Sequence, residues 1–176
     1  IAPTASISVI AGNTSPGIEP YAANVFTQKT LSGSFVVKNK YLADVLAKYG
    51  KDNAEVWSSI TINGGSVQHL PYLSEDEKLI FKTAFEINQM WLVEHAADRT
   101  PFICQAQSFN LFFPGNVSKK ELHIAHFESW KKGIKSLYYC RSTSVQRADV
   151  VSSFAEKTYA EYNKPSEAAE ECIACQ

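Results

Sequence analysis

Apolar and polar positions change period several times along the chain, and each change marks an element. Over residues 4–11, Ile, Val, Ser and Thr partly alternate and the run stops at Gly12-Asn-Thr-Ser-Pro-Gly17, which predicts a strand followed by a turn. Residues 24–30 and 33–38 are short extended pieces about Ser32 and Gly33, with Phe26, Phe35, Val36 and Val37 as buriable β-prone surface. The spacing then becomes helical. Leu42, Val45, Leu46 and Tyr49 share a face that Gly50 ends, and a second helix over 54–61 stops at Asn63-Gly64-Gly65.

Ser74-Glu-Asp-Glu77 is a capping box with acids in the first helical turn. Leu79, Ile80, Ala84, Ile87, Met90, Trp91 and Val93 extend an apolar face to about residue 97, with Pro101 beyond it, and the segment reads as one buried crossover helix whose Met and Trp fill the core. Residues 102–113 form an aromatic, strand-like run ended by Pro114-Gly115. Within it Gln105, Gln107, Ser108 and Asn110 need hydrogen-bond partners if buried, from neighbouring backbone or as the lining of a site. A second capping box, Ser118-Lys-Lys-Glu121, starts a helix to about Lys132, Gly133 stops it, and residues 134–141 are β-prone again. Strand, helix and strand in that order predict a right-handed βαβ unit with parallel strands, and an α/β fold.

After residue 141 serines, alanines and charges dominate, apart from a helical pattern over 150–162. The chain is therefore divided into a folded part, 1–141, an irregular or partly helical extension, 142–165, and an acidic tail, 166–176, with too little apolar surface to fold alone and expected to be mobile.

Composition narrows the class. With 45% hydrophobic and 20% charged residues the 176-residue chain is globular, and a net charge of −1 gives no electrostatic case for nucleic acid or an anionic membrane. No window reaches the roughly 18 apolar residues of a spanning helix, and no signal-peptide pattern opens the chain, so a soluble, cytoplasmic location is expected. Ile1 is not an initiator and Met90 is the only methionine, which leads us to expect a processed product or a piece of a longer polypeptide. Sequons at Asn13 and Asn116 weigh little against this, and the four cysteines, Cys104, Cys140, Cys172 and Cys175, are expected as thiols.

Four features carry candidate chemistry. Thr4, Ala5 and Ser6 combine hydroxyls with little bulk, which suits close approach to a phosphate and equally suits an ordinary strand end. His123 and His126 stand at i, i+3, but no cysteine or carboxylate cluster joins them at a ligand spacing, so no metal site is assigned. Cys172 and Cys175 form a Cys-x-x-Cys in the tail, where a tiny loop staples nothing but one thiolate can attack a disulfide and the other resolve it. The neighbouring Glu170 and Glu171 raise thiol pKa. Last, Tyr138 and Tyr139 are adjacent in a β-prone run and are expected to point to opposite faces, an arrangement that suits relay and also plain packing.

Pro3-Thr-Ala-Ser6, Gly17-Ile-Glu-Pro20, Leu31-Ser-Gly33, Gln105-Ala-Gln-Ser108, Trp130-Lys-Lys-Gly-Ile-Lys-Ser-Leu-Tyr-Tyr139 and the terminal Cys-x-x-Cys, in this order, together resemble the C-terminal part of the large subunit of class I ribonucleotide reductase. The resemblance runs from residue 1 to about 141 and resumes at Cys172 and Cys175. It implies the C-terminal portion of a ten-stranded α/β barrel ending in a flexible tail, and reduction of ribonucleoside diphosphates by radical chemistry. Thr4, Ala5, Ser6 and Ile7 would contact the substrate phosphates, Ile7 through its backbone only, since relatives carry a hydroxyl residue there. Tyr139, toward the small subunit, and Tyr138, toward the substrate, would relay a radical. Cys172 and Cys175 would reduce the active-site disulfide and be recharged by thioredoxin or glutaredoxin. The chain would bind no cofactor itself, the radical coming from a metal-containing small subunit. The family's radical-bearing cysteine, redox pair and catalytic-loop Asn and Glu belong to the N-terminal part, so this chain alone is expected to be inactive. Cys104, where many relatives have Asp, receives no role. The rival reading is a free-standing redox or binding module whose whole function is the Cys-x-x-Cys.

Overall fold

A computed structural model describes residues 1–12, 15–30 and 33–143. Outside the described residues lie Asn13, part of the turns at 12–17 and about Ser32, the helical pattern at 150–162, nearly all of the extension, and the tail with Cys172 and Cys175.

The chain opens with a helix where alternation predicts a strand: α1 (Ala5–Ile10). Among the described residues no strand stands beside it to pair with, and isolated β propensity is weak without that partner. Thr4 instead donates its backbone N–H to Pro16 O at 2.7 Å, and Ser8 donates to Thr4 O at 2.8 Å, closing a helical turn. Next, the two extended pieces become β1 (Val25–Thr30) and β2 (Gly33–Lys38), which pair as an antiparallel hairpin with Val25 opposite Lys38. Little of its side-chain surface is covered. Val25 is buried, while Phe26, Phe35 and Val36, expected as core, are exposed.

Helices α2 (Lys40–Lys48) and α3 (Ala54–Ile62) follow the sequence reading closely, each N-capped by an asparagine, Asn39 and Asn53. Leu42, Leu46, Trp57 and Ile60 pack with Val25, Val67, Leu70, Leu73 and Phe81 into one core. Its polar centre is Asn24, whose side-chain N–H groups donate to Gly65 O (3.0 Å) and Phe81 O (2.7 Å) while its Oδ1 accepts from Asn39 Nδ2 (2.9 Å). Gly65 has φ +84°, and a Cβ there would lie 2.7 Å from Ala23 Cα and 2.9 Å from Asn24 N, so only glycine lets the two backbones meet.

The crossover segment expected as one helix is two. α4 (Glu75–Ile80) carries the Ser74/Glu77 capping box, and α5 (Gln89–Arg99) starts afresh at Asn88, whose Oδ1 accepts the Met90 N–H. The break has long-range causes. Phe81 O is taken by Asn24, Ala84 N–H donates to Tyr21 O at 2.7 Å, and Gln89 Nε2 donates to Ala84 O and Ile87 O, both at 2.8 Å. These bonds replace the i to i−4 ladder over 81–88. The apolar stripe is split accordingly: Ala84 and Val93 are buried, whereas Leu79, Ile80 and Trp91 are exposed.

The predicted strand over 102–113 shortens to β3 (Leu111–Phe113), and that over 134–141 to β4 (Cys140–Ser142). Between them α6 (Lys119–Lys131) has the second capping box, Ser118/Glu121, and Gly133 at φ +76° lets the chain turn back. β3 and β4 are parallel, Leu111 opposite Cys140, so the βαβ unit of the sequence reading is present. The upstream run cannot be extended strand because Gln107 folds back onto α5, donating to Ala96 O (2.6 Å) and accepting from Arg99 Nε (3.1 Å). A second core joins Leu92, Val93, Ala96, Phe109, Leu111, Phe112, Phe113 and Ala125. The fold is thus mixed α/β, two cores joined through residues 19–24 and 81–89.

Removing the Asn24 side chain leaves two buried carbonyls short of donors. Asn24→Ala is expected to lower unfolding free energy by about 3 kcal/mol, and Ser118→Ala, which loses one exposed cap, by about 1 kcal/mol. Urea unfolding midpoints at unchanged slope measure both.

Candidate functional site

The hydroxyl-rich opening sits at the start of α1. Ala5, Ser6 and Ile7 are its first three residues, so their backbone N–H groups precede any intrahelical acceptor. Thr4 precedes them, with its Oγ1 donating to Pro16 O at 3.2 Å. Ile7 is 64% exposed and has no hydroxyl, leaving its backbone as the group that can meet an anion. The turn that holds Thr4 is itself braced, Ser15 Oγ donating to Glu19 O at 2.6 Å.

Tyr138 and Tyr139 precede β4 instead of lying within it, so the pleat that would send them to opposite faces is not yet established. Their rings meet: the centroids are 4.2 Å apart with planes inclined by 60°. This corrects the expectation of opposite faces. A hydrogen bond to the Tyr139 phenol is the main cause that holds the Tyr138 pKa above its ordinary 10.0, with the Tyr139 charge and desolvation adding and the Arg141 guanidinium opposing. Arg141 lies over the Tyr139 ring, 5.3 Å from its centroid, and had no sequence signal beyond its place two residues downstream. Both phenols face outward, at 56% and 50% exposure.

Because the rings are exposed, their placement comes from the backbone. Tyr138 N–H donates to Phe109 O (2.9 Å), Leu111 N–H to Tyr139 O (3.0 Å), and Tyr139 N–H to Asn110 Oδ1 (3.2 Å). Asn110 N–H in turn donates to the carboxylate of Glu19, which is 6% exposed. Glu19 and Asn110 were missed as site residues, although Glu19 is the acid of the Gly17-Ile-Glu-Pro20 motif and Asn110 is one of the polar residues flagged in an aromatic run. Of the others, Gln107 is satisfied by α5, Gln105 is exposed, and Ser108 Oγ is buried with no partner among the described residues.

The remaining candidates are simply placed. Cys104 and Cys140 are exposed free thiols, and Cys172 and Cys175 lie outside the described residues. His123 stacks on Phe127 and the His126 ring is 2.7 Å from Leu122 O. Among the described residues no group of three His, Cys, Asp or Glu side chains could hold a metal, and no helix is long and apolar enough to cross a membrane.

Comparison with known proteins agrees with the sequence resemblance. The family model described as "Ribonucleotide reductase, barrel domain" matches residues 1–140. The ribonucleoside-diphosphate reductase large subunit of Invertebrate iridescent virus 6 is 55% identical over 157 residues, 87% of this chain and 16% of the relative. That of Invertebrate iridescent virus 3 is 48% identical over 154 residues, covering 86% and 24%. A solved structure, the Actinobacillus ureae class Id ribonucleotide reductase alpha subunit, superposes with a TM-score of 0.73 at 38% identity, over 86% of this chain and 27% of that one. The chain thus spans about a quarter or less of the length of these relatives. It belongs to the ribonucleotide reductase barrel-domain family.

Proposed function

We propose that this chain is the C-terminal part of the large subunit of a ribonucleoside-diphosphate reductase, supplying a phosphate cradle, a radical relay and the terminal dithiol. The observation that carries the relay is the contact between the Tyr138 and Tyr139 rings. A phenoxyl radical on Tyr139 takes an electron and a proton from Tyr138, which leaves Tyr139 as a phenol and Tyr138 as the radical. The 4.2 Å between ring centroids supports an electron path, and the Tyr139 phenol, the main cause of the raised Tyr138 pKa, is the proton's destination on this reading. Tyr139 faces the small, metal-containing, radical-generating subunit and Tyr138 faces the substrate side.

The start of α1 supports the cradle, because the N–H groups of Ala5, Ser6 and Ile7 point out of the helix end and the Thr4 hydroxyl stands beside them. A ribonucleoside diphosphate is the ligand this reading assigns. Cys172 and Cys175 supply the two electrons at second hand: each turnover removes a substrate hydroxyl as water and leaves an active-site disulfide, which the tail thiols reduce by exchange, becoming a disulfide themselves. Thioredoxin or glutaredoxin then restores the thiols. The βαβ unit and α1 complete a ten-stranded barrel with an N-terminal large-subunit part, which holds the cysteine that receives the radical. We place this work in the cytoplasm.

Mixed with an N-terminal large-subunit fragment, the small subunit and a dithiol, the chain is expected to turn over ribonucleoside diphosphate, and to be silent if the N-terminal fragment is left out. In that complex Tyr139→Phe is expected to reduce turnover to background, since Phe has no removable phenolic proton; turnover at the level of the unsubstituted chain would sink the relay. A second measurement follows from the phenol hydrogen bond. Tyr139→Phe removes the acceptor, so Tyr138, followed by site-specific carbon NMR through alkaline pH, should ionise at lower pH than in the unsubstituted chain, closer to the ordinary 10.0.

A further inference from the structure

We infer that Glu19 and Asn110 are positioning residues for the tyrosine pair, forming a strut from the turn behind α1 to the backbone of Tyr139. The inference rests on the relay reading above and adds residues to it. Three observations carry it.

First, the two phenol rings are only partly walled by the described residues. Each is half exposed, and among the described residues their ring contacts are with each other and with Arg141. Exposed aromatic rings sample their rotamers, so what fixes the pair in space is the backbone from which it projects. Second, that backbone hangs on residues 109–111 through three bonds, and only one of them comes from a side chain, the Tyr139 N–H donated to Asn110 Oδ1 at 3.2 Å. Third, Asn110 is itself held from behind by a charge. Its N–H donates to the Glu19 carboxylate, buried to 6% exposure, and a bond of this charge-assisted kind is about twice as strong as a neutral one.

The same turn receives the opening segment. Thr4 N–H and Oγ1 both reach Pro16 O, three residues before Glu19, and Ser15 Oγ closes the turn on Glu19 O. Residues 15–19 therefore carry the cradle at one end and the tyrosine strut at the other. The substrate's phosphates and the radical donor are held in one frame, in which a shift of Asn110 moves the tyrosines and leaves Thr4 where it is.

This yields a split between binding and turnover. In the reconstituted complex, Asn110→Leu is expected to lower kcat by about tenfold to a hundredfold, the effect of an ångström-scale misplacement, with KM for the ribonucleoside diphosphate changed by less than about twofold. Asn110→Asp, which keeps an oxygen at the same reach, is expected to recover most of kcat. Asn110→Ser, whose hydroxyl falls short of the Tyr139 N–H, should resemble Asn110→Leu and serves as the second variant if the leucine chain does not fold. For Glu19, replacement by Gln retains an acceptor and should cost less turnover than Glu19→Ala. A fluorotyrosine placed at position 139 gives a readout independent of activity: its fluorine resonance should shift in Asn110→Ser and return in Asn110→Asp. Full kcat in both Asn110→Leu and Asn110→Ser overturns the inference, as does loss of kcat that Asn110→Asp fails to restore. If Tyr139→Phe turns over normally, it is the relay reading that fails. If Tyr139→Phe is dead while Asn110→Ser is fully active, the relay stands and the strut falls.

Discussion

The three residues of β3 are all buried, and a buried strand must find acceptors for backbone donors on both of its edges. One edge is met by the chain that returns after α6, since Leu111 N–H donates to Tyr139 O. The other edge has side chains where a neighbouring strand would stand. Asn110 N–H meets the Glu19 carboxylate, and Phe112 N–H donates to Gln89 Oε1 at 2.8 Å. Each donor left unmet in this position would cost about 1–3 kcal/mol, so Glu19 and Gln89 are conditions for the strand and not ornaments on it. Most of the remaining architecture follows from putting them there.

Gln89 explains why the crossover segment is two helices. To place its amide beside Phe112 it must start α5, not sit in mid-helix, and its Nε2 then takes up Ala84 O and Ile87 O, carbonyls that a continuous helix would have used internally. The apolar stripe from Leu79 to Val93 has the right period for one helix, and period is a local property. The bonds that interrupt it join residues 23 and 57 positions apart, Gln89 to Phe112 and Asn24 to Phe81. A reading of spacing has no access to them. By contrast the capping boxes at Ser74 and Ser118, the helices at 40–48 and 54–62, the two extended pieces of the hairpin and the βαβ order were legible, because each depends on contacts within a few residues or on the order of elements alone.

The same division applies to the candidate site. The tyrosine pair and the hydroxyl-rich opening are visible as residue types in sequence, and their chemistry can be named from them. Their conformation was not. Alternation along 4–11 suggested a strand, yet Pro16 O holds Thr4 at the head of a helix, and the pleat expected to separate Tyr138 from Tyr139 begins only at Cys140. In both places the local pattern was overruled by a partner distant in sequence. Glu19 and Asn110 illustrate the converse, residues with a plain local appearance whose weight comes from where their neighbours lie.

A relay of the kind proposed has a physical reason to be built this way. Radical transfer between two phenols depends on their separation, and hydrophobic packing, which is non-directional, sets separations only loosely. The chain uses apolar packing where only burial matters, in the two cores, and uses directional hydrogen bonds at the tyrosine backbone and the buried carboxylate. Leaving the rings themselves half exposed leaves their rotamers to their mutual contact, while the backbone from which they project is tied at Asn110. On the proposed relay reading, that exposure leaves a face of each phenol open toward the next group in a chain of transfers, which a ring sealed in a core would not have.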